Sequence, residues 1–187
     1  MAQRIVDGEQ YEVFLVRDDA GSSLTVDGKA YRSIVSFARP GDTTAYAAGD
    51  VVGTAAGSAI HTLSGVGPAG GYVVVQSASL FINTSSVPAG MGAFRLHFYS
   101  SSPSAIADNT AFTLSSGDTA SYMGYADLPA PQDLGDVIYS QADYIGRQLK
   151  LASDQTSLFA QLETRGGYTP ASGTTYEIRV GTLEAGL

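Results

Sequence analysis

The chain contains no cysteine and no tryptophan, only two histidines, and only two lysines, Lys29 and Lys150. Without thiols it can form neither a disulfide nor a thiolate metal site. With two lysines and eight scattered arginines it has no basic cluster to displace counterions from a phosphate backbone, so no nucleic-acid partner is expected. The same scarcity argues against docking on an anionic membrane surface. No apolar run approaches the roughly 20 residues a membrane helix requires, and Met1 to Gly8 carry no apolar leader core. Charged residues make up 15% of the 187 residues and sum to a net charge of -8, a balance that favours solubility and docking on a basic or neutral protein face.

What the chain does have is glycine, alanine, serine and threonine, interrupted by short apolar runs of period two. Phe94, Leu96 and Phe98 alternate with Arg95, His97 and Tyr99, the pattern of a half-buried strand. Tyr31, Ser33, Val35 and Phe37 form one stripe opposite Arg32 and Ser36. Tyr176, Ile178 and Val180 form another opposite Glu177 and Arg179. Leu149 and Leu151, and then Leu158, Ala160 and Leu162, repeat the pattern. Tyr11 to Val16 and Gly71 to Ile82 are apolar on both faces and are expected to be central or covered strands. Turn signals separate the runs, including Pro40-Gly41-Asp42, Pro88-Ala89-Gly90 and Ser116-Gly117-Asp118. Val26-Asp27-Gly28-Lys29 suits a two-residue hairpin.

These signals predict an all-β fold: one domain over residues 1–187, a β-sandwich, jelly roll or barrel of about ten to twelve short antiparallel strands with little helix. Residues 1–10 read as an N-terminal arm. Residues 128–146 read as a loop-rich insertion, with a short helical turn near Asp136 to Gly146.

Catalytic and ligand-binding patterns are weak. Gly65-Val66-Gly67-Pro68-Ala69-Gly70 matches G-x-G-x-x-G, but a strand follows it where a dinucleotide site needs a helix, so a β-loop is expected. His61 and His97 lie far apart, and the chain has no G-x-S-x-G elbow to supply a nucleophile. Surface or interface positions are expected for both. Asp18-Asp19 and Asp108-Asn109 could offer oxygen ligands, yet no EF-hand spacing is present and turn capping is the simpler role. No enzyme activity, cofactor or metal is expected. The eleven tyrosines combine apolar area with a polar tip, which suits interfaces. Tyr122, Tyr125, Tyr139 and Tyr144 cluster in one stretch.

Thr43-Thr44-Ala45-Tyr46-Ala47-Ala48-Gly49-Asp50-Val51-Val52-Gly53 resembles a segment of virion and head-decoration proteins of tailed bacteriophages. Gly70-Gly71-Tyr72, Leu96-His97-Phe98-Tyr99, Ser102-Pro103-Ser104, Ile106 to Phe112 and Gly166-Gly167-Tyr168-Thr169-Pro170 are similar to the segments that follow it there. The similarity runs from about Tyr31 to Val180. It implies a structural virion protein, in some members a capsid decoration or cement protein, synthesised in the bacterial host cytoplasm and placed on the capsid exterior. The implied partner is the phage major capsid protein, bound by a homo-oligomer, trimer or dimer. Within the motifs, Gly49-Asp50 is expected as a hairpin tip and Asp108-Asn109 as a capped loop. The expected contact residues are Arg4, Ile5, Tyr11 and Phe14 of the arm with Tyr122, Tyr125, Tyr139 and Tyr144. A tail, head-completion or fibre-base protein and a carbohydrate-binding adhesin module are the alternatives.

Overall fold

The computed structural model describes residues 29–185. Ahead of them it gives only the backbone pairing of four short strands: β1 (Gln3–Val6) with β2 (Glu9–Glu12), and β3 (Val16–Arg17) with β4 (Ser23–Leu24). The side chains of the arm residues Arg4, Ile5, Tyr11 and Phe14, the Asp18-Asp19 pair and residues Val26 to Gly28 of the expected hairpin lie outside the described residues.

Ten further strands form two antiparallel sheets. They are β5 (Ala30–Ala38), β6 (Val51–Val52), β7 (His61–Leu63), β8 (Tyr72–Ile82), β9 (Phe94–Tyr99), β10 (Tyr122–Leu128), β11 (Gln132–Asp133), β12 (Ile138–Lys150), β13 (Leu158–Thr164) and β14 (Thr175–Ala185). One sheet runs β11-β12-β8-β14-β5. The other runs β10-β9-β13, with β6 and β7 both paired to β13. The all-β expectation holds, in the form of a two-sheet sandwich. The described residues include one helical piece, a 3-10 turn at Ser116–Asp118.

Period-two patterning explains the packing. Val73, Val75, Leu80, Ile82, Ile178 and Val180 of one sheet meet Phe94, Leu96, Phe98, Leu158 and Leu162 of the other in a single buried cluster. Strand β8 lies at the centre of its sheet, as its apolar run suggested. Its outward residues Tyr72 and Phe81 are half-buried, covered by the Lys150 ammonium at 5.2 Å and the Arg179 guanidinium at 4.1 Å from the ring centroids.

Two expectations are corrected. The turn near Asp136 to Gly146 is not helical: it is the first part of β12, and the stretch 128–146 contains β11 and most of this strand rather than a loop-rich insertion. A bulge conceals the strand in the sequence. Pairing with β8 shifts between Asp143 and Arg147, where Tyr144 and Gly146 take φ of 55° and 65°. Gly49-Asp50 is not a hairpin tip either. Gly49, at φ 97°, turns the chain so that Asp50 bridges Ala111 and leads into β6.

The two sheets differ on their outer faces. In β13 the polar residues Gln161 and Glu163 are buried along with the apolar ones, because the segment between β9 and β10 folds across that face. Gln161 Nε2 donates to the Ser104 carbonyl, and Phe112 stacks on His97.

Candidate functional site

Most of the phage-like motif residues converge at one end of the sandwich. Arg39, at the end of β5, is fully buried. Its Nε donates to the Tyr46 hydroxyl at 3.3 Å and its Nη2 to Asp42 Oδ1 at 3.0 Å, while Nη1 donates to the Asp42 carbonyl. Asp108 Oδ2 lies 3.7 Å from the same guanidinium. Asp108 Oδ1 accepts from the Tyr46 hydroxyl and from the Gly53 amide, both at 2.6 Å. Gly53 leaves room for this approach: a β-carbon there would come within 2.9 Å of Asp108. Asp50 Oδ2 accepts from the Ala47 amide at 2.6 Å, closing the turn before β6. The Asp108-Asn109 loop is thus capped by its own motif, and its carboxylate is occupied by protein donors.

A second polar cluster lies on the covered face of the other sheet. His97 Nε2 bonds Glu163 Oε2 at 2.9 Å, its Nδ1 bonds the Tyr122 hydroxyl at 3.0 Å, and Arg165 pairs with Glu163 Oε1 at 2.6 Å. The Phe112 ring stacks on the imidazole with a 3.8 Å centroid separation. Burial holds the His97 pKa below its usual value, partly offset by Glu163. The imidazole is therefore neutral near pH 7, with Nε2–H donating to the carboxylate and Nδ1 accepting from Tyr122. This relay is sealed beneath Phe112 and serves to hold β9, β10 and β13 together.

His61 is also buried, which corrects the expected surface or interface position of both histidines. In β7, His61 and Leu63 face inward while Thr62 faces out, and the imidazole stacks on Phe37 at 4.1 Å. Its Nε2–H donates to the Val52 carbonyl at 3.2 Å. Desolvation pushes its pKa down to about 4. In the unfolded chain the group titrates near 6.5, so the unfolded state takes up the proton first on acidification. Stability is then full above pH 6.5 and declines as pH falls toward 4, by about 3 kcal/mol in total from this group. His97 acts in the same direction. Denaturant midpoints measured between pH 7 and 4 should fall, and His61→Gln should remove most of that slope while lowering stability at neutral pH. An unchanged slope in the variant would show that the imidazole is not protected from protonation.

Among the described residues no group of three or more His, Asp and Glu side chains is placed to hold a metal ion. The melting temperature should accordingly be the same in EDTA and in calcium. A drop of several degrees in EDTA, reversed by calcium, would assign a ligand role to the acidic turns.

The structure separates the four expected contact tyrosines. Tyr122 is half-buried and committed to His97. Tyr139 lies on the outer face of the other sheet, tilted against Phe81 at 4.5 Å. Tyr125 and Tyr144 are exposed, at 38% and 92% of their surface. Tyr125 carries the Arg95 guanidinium 3.6 Å above its ring, with that of Arg147 at 6.0 Å. Arg95 in turn pairs with Asp127 at 2.7 Å. Tyr144 stands on the β12 bulge, which reaches β10 where Arg147 Nη1 donates to the Met123 carbonyl. The bulge joins the two sheets along one flank of the sandwich. Beside it lies a groove of about 480 Å³ lined by Tyr122, Met123, Gln148 and Lys150 among others. Sequence reasoning did not single out Arg39, Arg95 or Arg147. The Arg39-Pro40 step at the end of an alternating strand was the one local hint.

No family model matches the chain, and no curated protein matches it. Among solved structures, a chain from the capsid of Ralstonia phage GP4 aligns over 86% of both chains, with 18% identity and a TM-score of 0.40. A chain of Desmodium yellow mottle tymovirus aligns over 98% of this chain and 95% of its own, with 13% identity and a TM-score of 0.27. A chain of the heated full particle of Israeli acute paralysis virus covers 97% of this chain and 75% of its own, at 11% identity and a TM-score of 0.30.

Proposed function

We propose that this protein is a non-enzymatic structural component of a tailed-phage particle, a decoration or cement protein that binds the capsid exterior across junctions of the major capsid protein as a homo-oligomer, trimer or dimer. The observation that carries this reading is how the side chains divide. The groups that could perform chemistry, His61, His97, Glu163 and Asp108, are committed to internal bonds, while Tyr125 and Tyr144 stand outward on the bulged flank. A tyrosine with 92% of its surface free, held at positive φ, gains nothing from its own fold and costs of order 1–2 kcal/mol of backbone strain. Such a side chain supports the reading that this flank meets a partner. The phage-like segments supply the class of partner, and oligomeric binding to a lattice of repeated sites multiplies affinity by avidity.

The test is reconstitution on capsids depleted of the native protein. Copy number should match the capsid lattice sites, and Tyr144→Ser and Tyr125→Ser should lower occupancy, Tyr144→Ser without lowering the melting temperature. Deleting Met1 to Gln10 reads out the arm residues Arg4 and Ile5 separately. Attachment to tails, or to cell-surface glycan in place of capsids, would replace this reading with a tail-component or adhesin role.

A further inference from the structure

Strand β5 is the edge of its sheet, and its backbone shows which groups remain for a partner. The Arg39 amide donates to the Thr174 carbonyl at 3.0 Å and the Glu184 amide to the Lys29 carbonyl at 2.9 Å, bonds that bracket the ladder to β14. Odd-numbered residues of β5 therefore direct their N–H and C=O groups to β14. Even-numbered residues direct theirs away from it, as the Ala38 carbonyl confirms by accepting from the Ala55 amide on the other side. Ala30, Arg32, Ile34 and Ser36 thus present a row of donors and acceptors roughly 20 Å long. Among the described residues β5 has no second strand neighbour. The edge has few of the usual protections, with Arg32 its single charged residue. It contains no proline and no lysine, and its register against β14 is unbroken from Ala30 to Ala38.

We propose that the occupant of this edge is a second copy of the chain, with the two β5 strands pairing antiparallel about Ile34 to join two five-stranded sheets across a two-fold axis. This deepens the homo-oligomer part of the proposed function by selecting the dimer, and rests on that reading only in this respect. The strand is self-complementary about that residue. Ile34, 51% exposed, meets the second copy's Ile34, and the pair exchanges two backbone hydrogen bonds. Arg32 then falls opposite the second copy's Ser36. In each chain the Ser36 hydroxyl donates to Glu177 Oε2 at 2.9 Å, so the Arg32 guanidinium arrives beside a carboxylate already placed on the same face. The contact occurs twice by symmetry, once on each side of Ile34, as an isologous interface requires.

The free full-length protein should sediment as a concentration-dependent dimer, weakened by salt because the Arg32–Glu177 contacts are exposed. Ile34→Pro removes only an edge-facing N–H, which an edge strand tolerates, and should give a folded monomer. Val35→Pro removes a donor to β14 and should unfold the domain. Arg32→Glu should weaken the dimer by at least about tenfold through like-charge contact with Glu177, and adding Glu177→Arg should restore it. A monomer at every concentration, or a dimer indifferent to Ile34→Pro and Arg32→Glu, would overturn the proposal. So would a monomer that dimerises only after residues 1–28 are deleted, since the chain's own N-terminal segment would then be the occupant. Capsid occupancy, measured separately, reports on the decoration role, and a monomer that still decorates capsids would defeat only the dimer.

Discussion

Replacing Arg39 with alanine is expected to destabilise the protein by about 3–5 kcal/mol, the usual cost of removing one partner from a buried charge network. The guanidinium is fully buried and joins the Arg39–Asp42 turn and nearby Tyr46 to Asp108, which is remote in the chain. Without it, the Asp42 carbonyl loses a donor and the Asp108 carboxylate loses its nearest cation, while Tyr46 and Gly53 still donate to that carboxylate. Arg39→Lys keeps the charge and loses the planar fork that reaches the Tyr46 hydroxyl and Asp42 together, so it should fall between wild type and alanine. The measurement is the midpoint of urea unfolding at neutral pH, with the slope unchanged. A midpoint shift in Arg39→Ala as small as that of a surface substitution would mean that water replaces the guanidinium without penalty.

That network was not legible in the sequence, and its geometry explains why. Asp108 lies sixty-two positions beyond Tyr46 and further still from Arg39, and only the folded sandwich brings it to them. The same reason hid the burial of His97 and Glu163. Both lie on what alternation marks as the polar face of their strands, and the residues that cover them, Phe112 and Ser104, come from an excursion with no periodicity of its own. Where a strand has one face in the core and one in solvent, the pattern was readable: Phe37, Tyr176, Ile178 and Val180 are buried, while Arg32 and Ser36 are exposed. Strand β12 marks the limit of that method. Its inward face changes midway, from Ile138 and Ser140 before the bulge to Leu149 after it, so neither half is long enough to stand out from a loop.

Replacing Phe94 with alanine should also destabilise the domain by about 3–5 kcal/mol, as large-to-small changes at buried phenylalanines do. Phe94 is inaccessible to solvent and pairs with Leu128 and Thr164 on its two neighbouring strands. Its ring stands edge-on to Tyr168 at 6.2 Å. Tyr168 in turn tilts against Tyr46 at 5.2 Å and shares a buried hydroxyl contact with Tyr176 at 2.9 Å. The cavity left by Phe94→Ala therefore opens beside the aromatic column that carries Tyr46 into the Arg39 network. Phe98, equally buried on the same face of β9, has no such ring contact among the described residues. Phe98→Ala should then lose the transfer and cavity contributions alone and fall toward the lower end of the range. The column predicts one thing more: Phe94→Ala and Arg39→Ala should not add, because Tyr46 and Tyr168 link the two sites. A double-mutant cycle on denaturant midpoints measures the coupling. Simple additivity within about 0.3–0.5 kcal/mol would show that the core and the loop network are independent, and that Tyr46 transmits nothing between them.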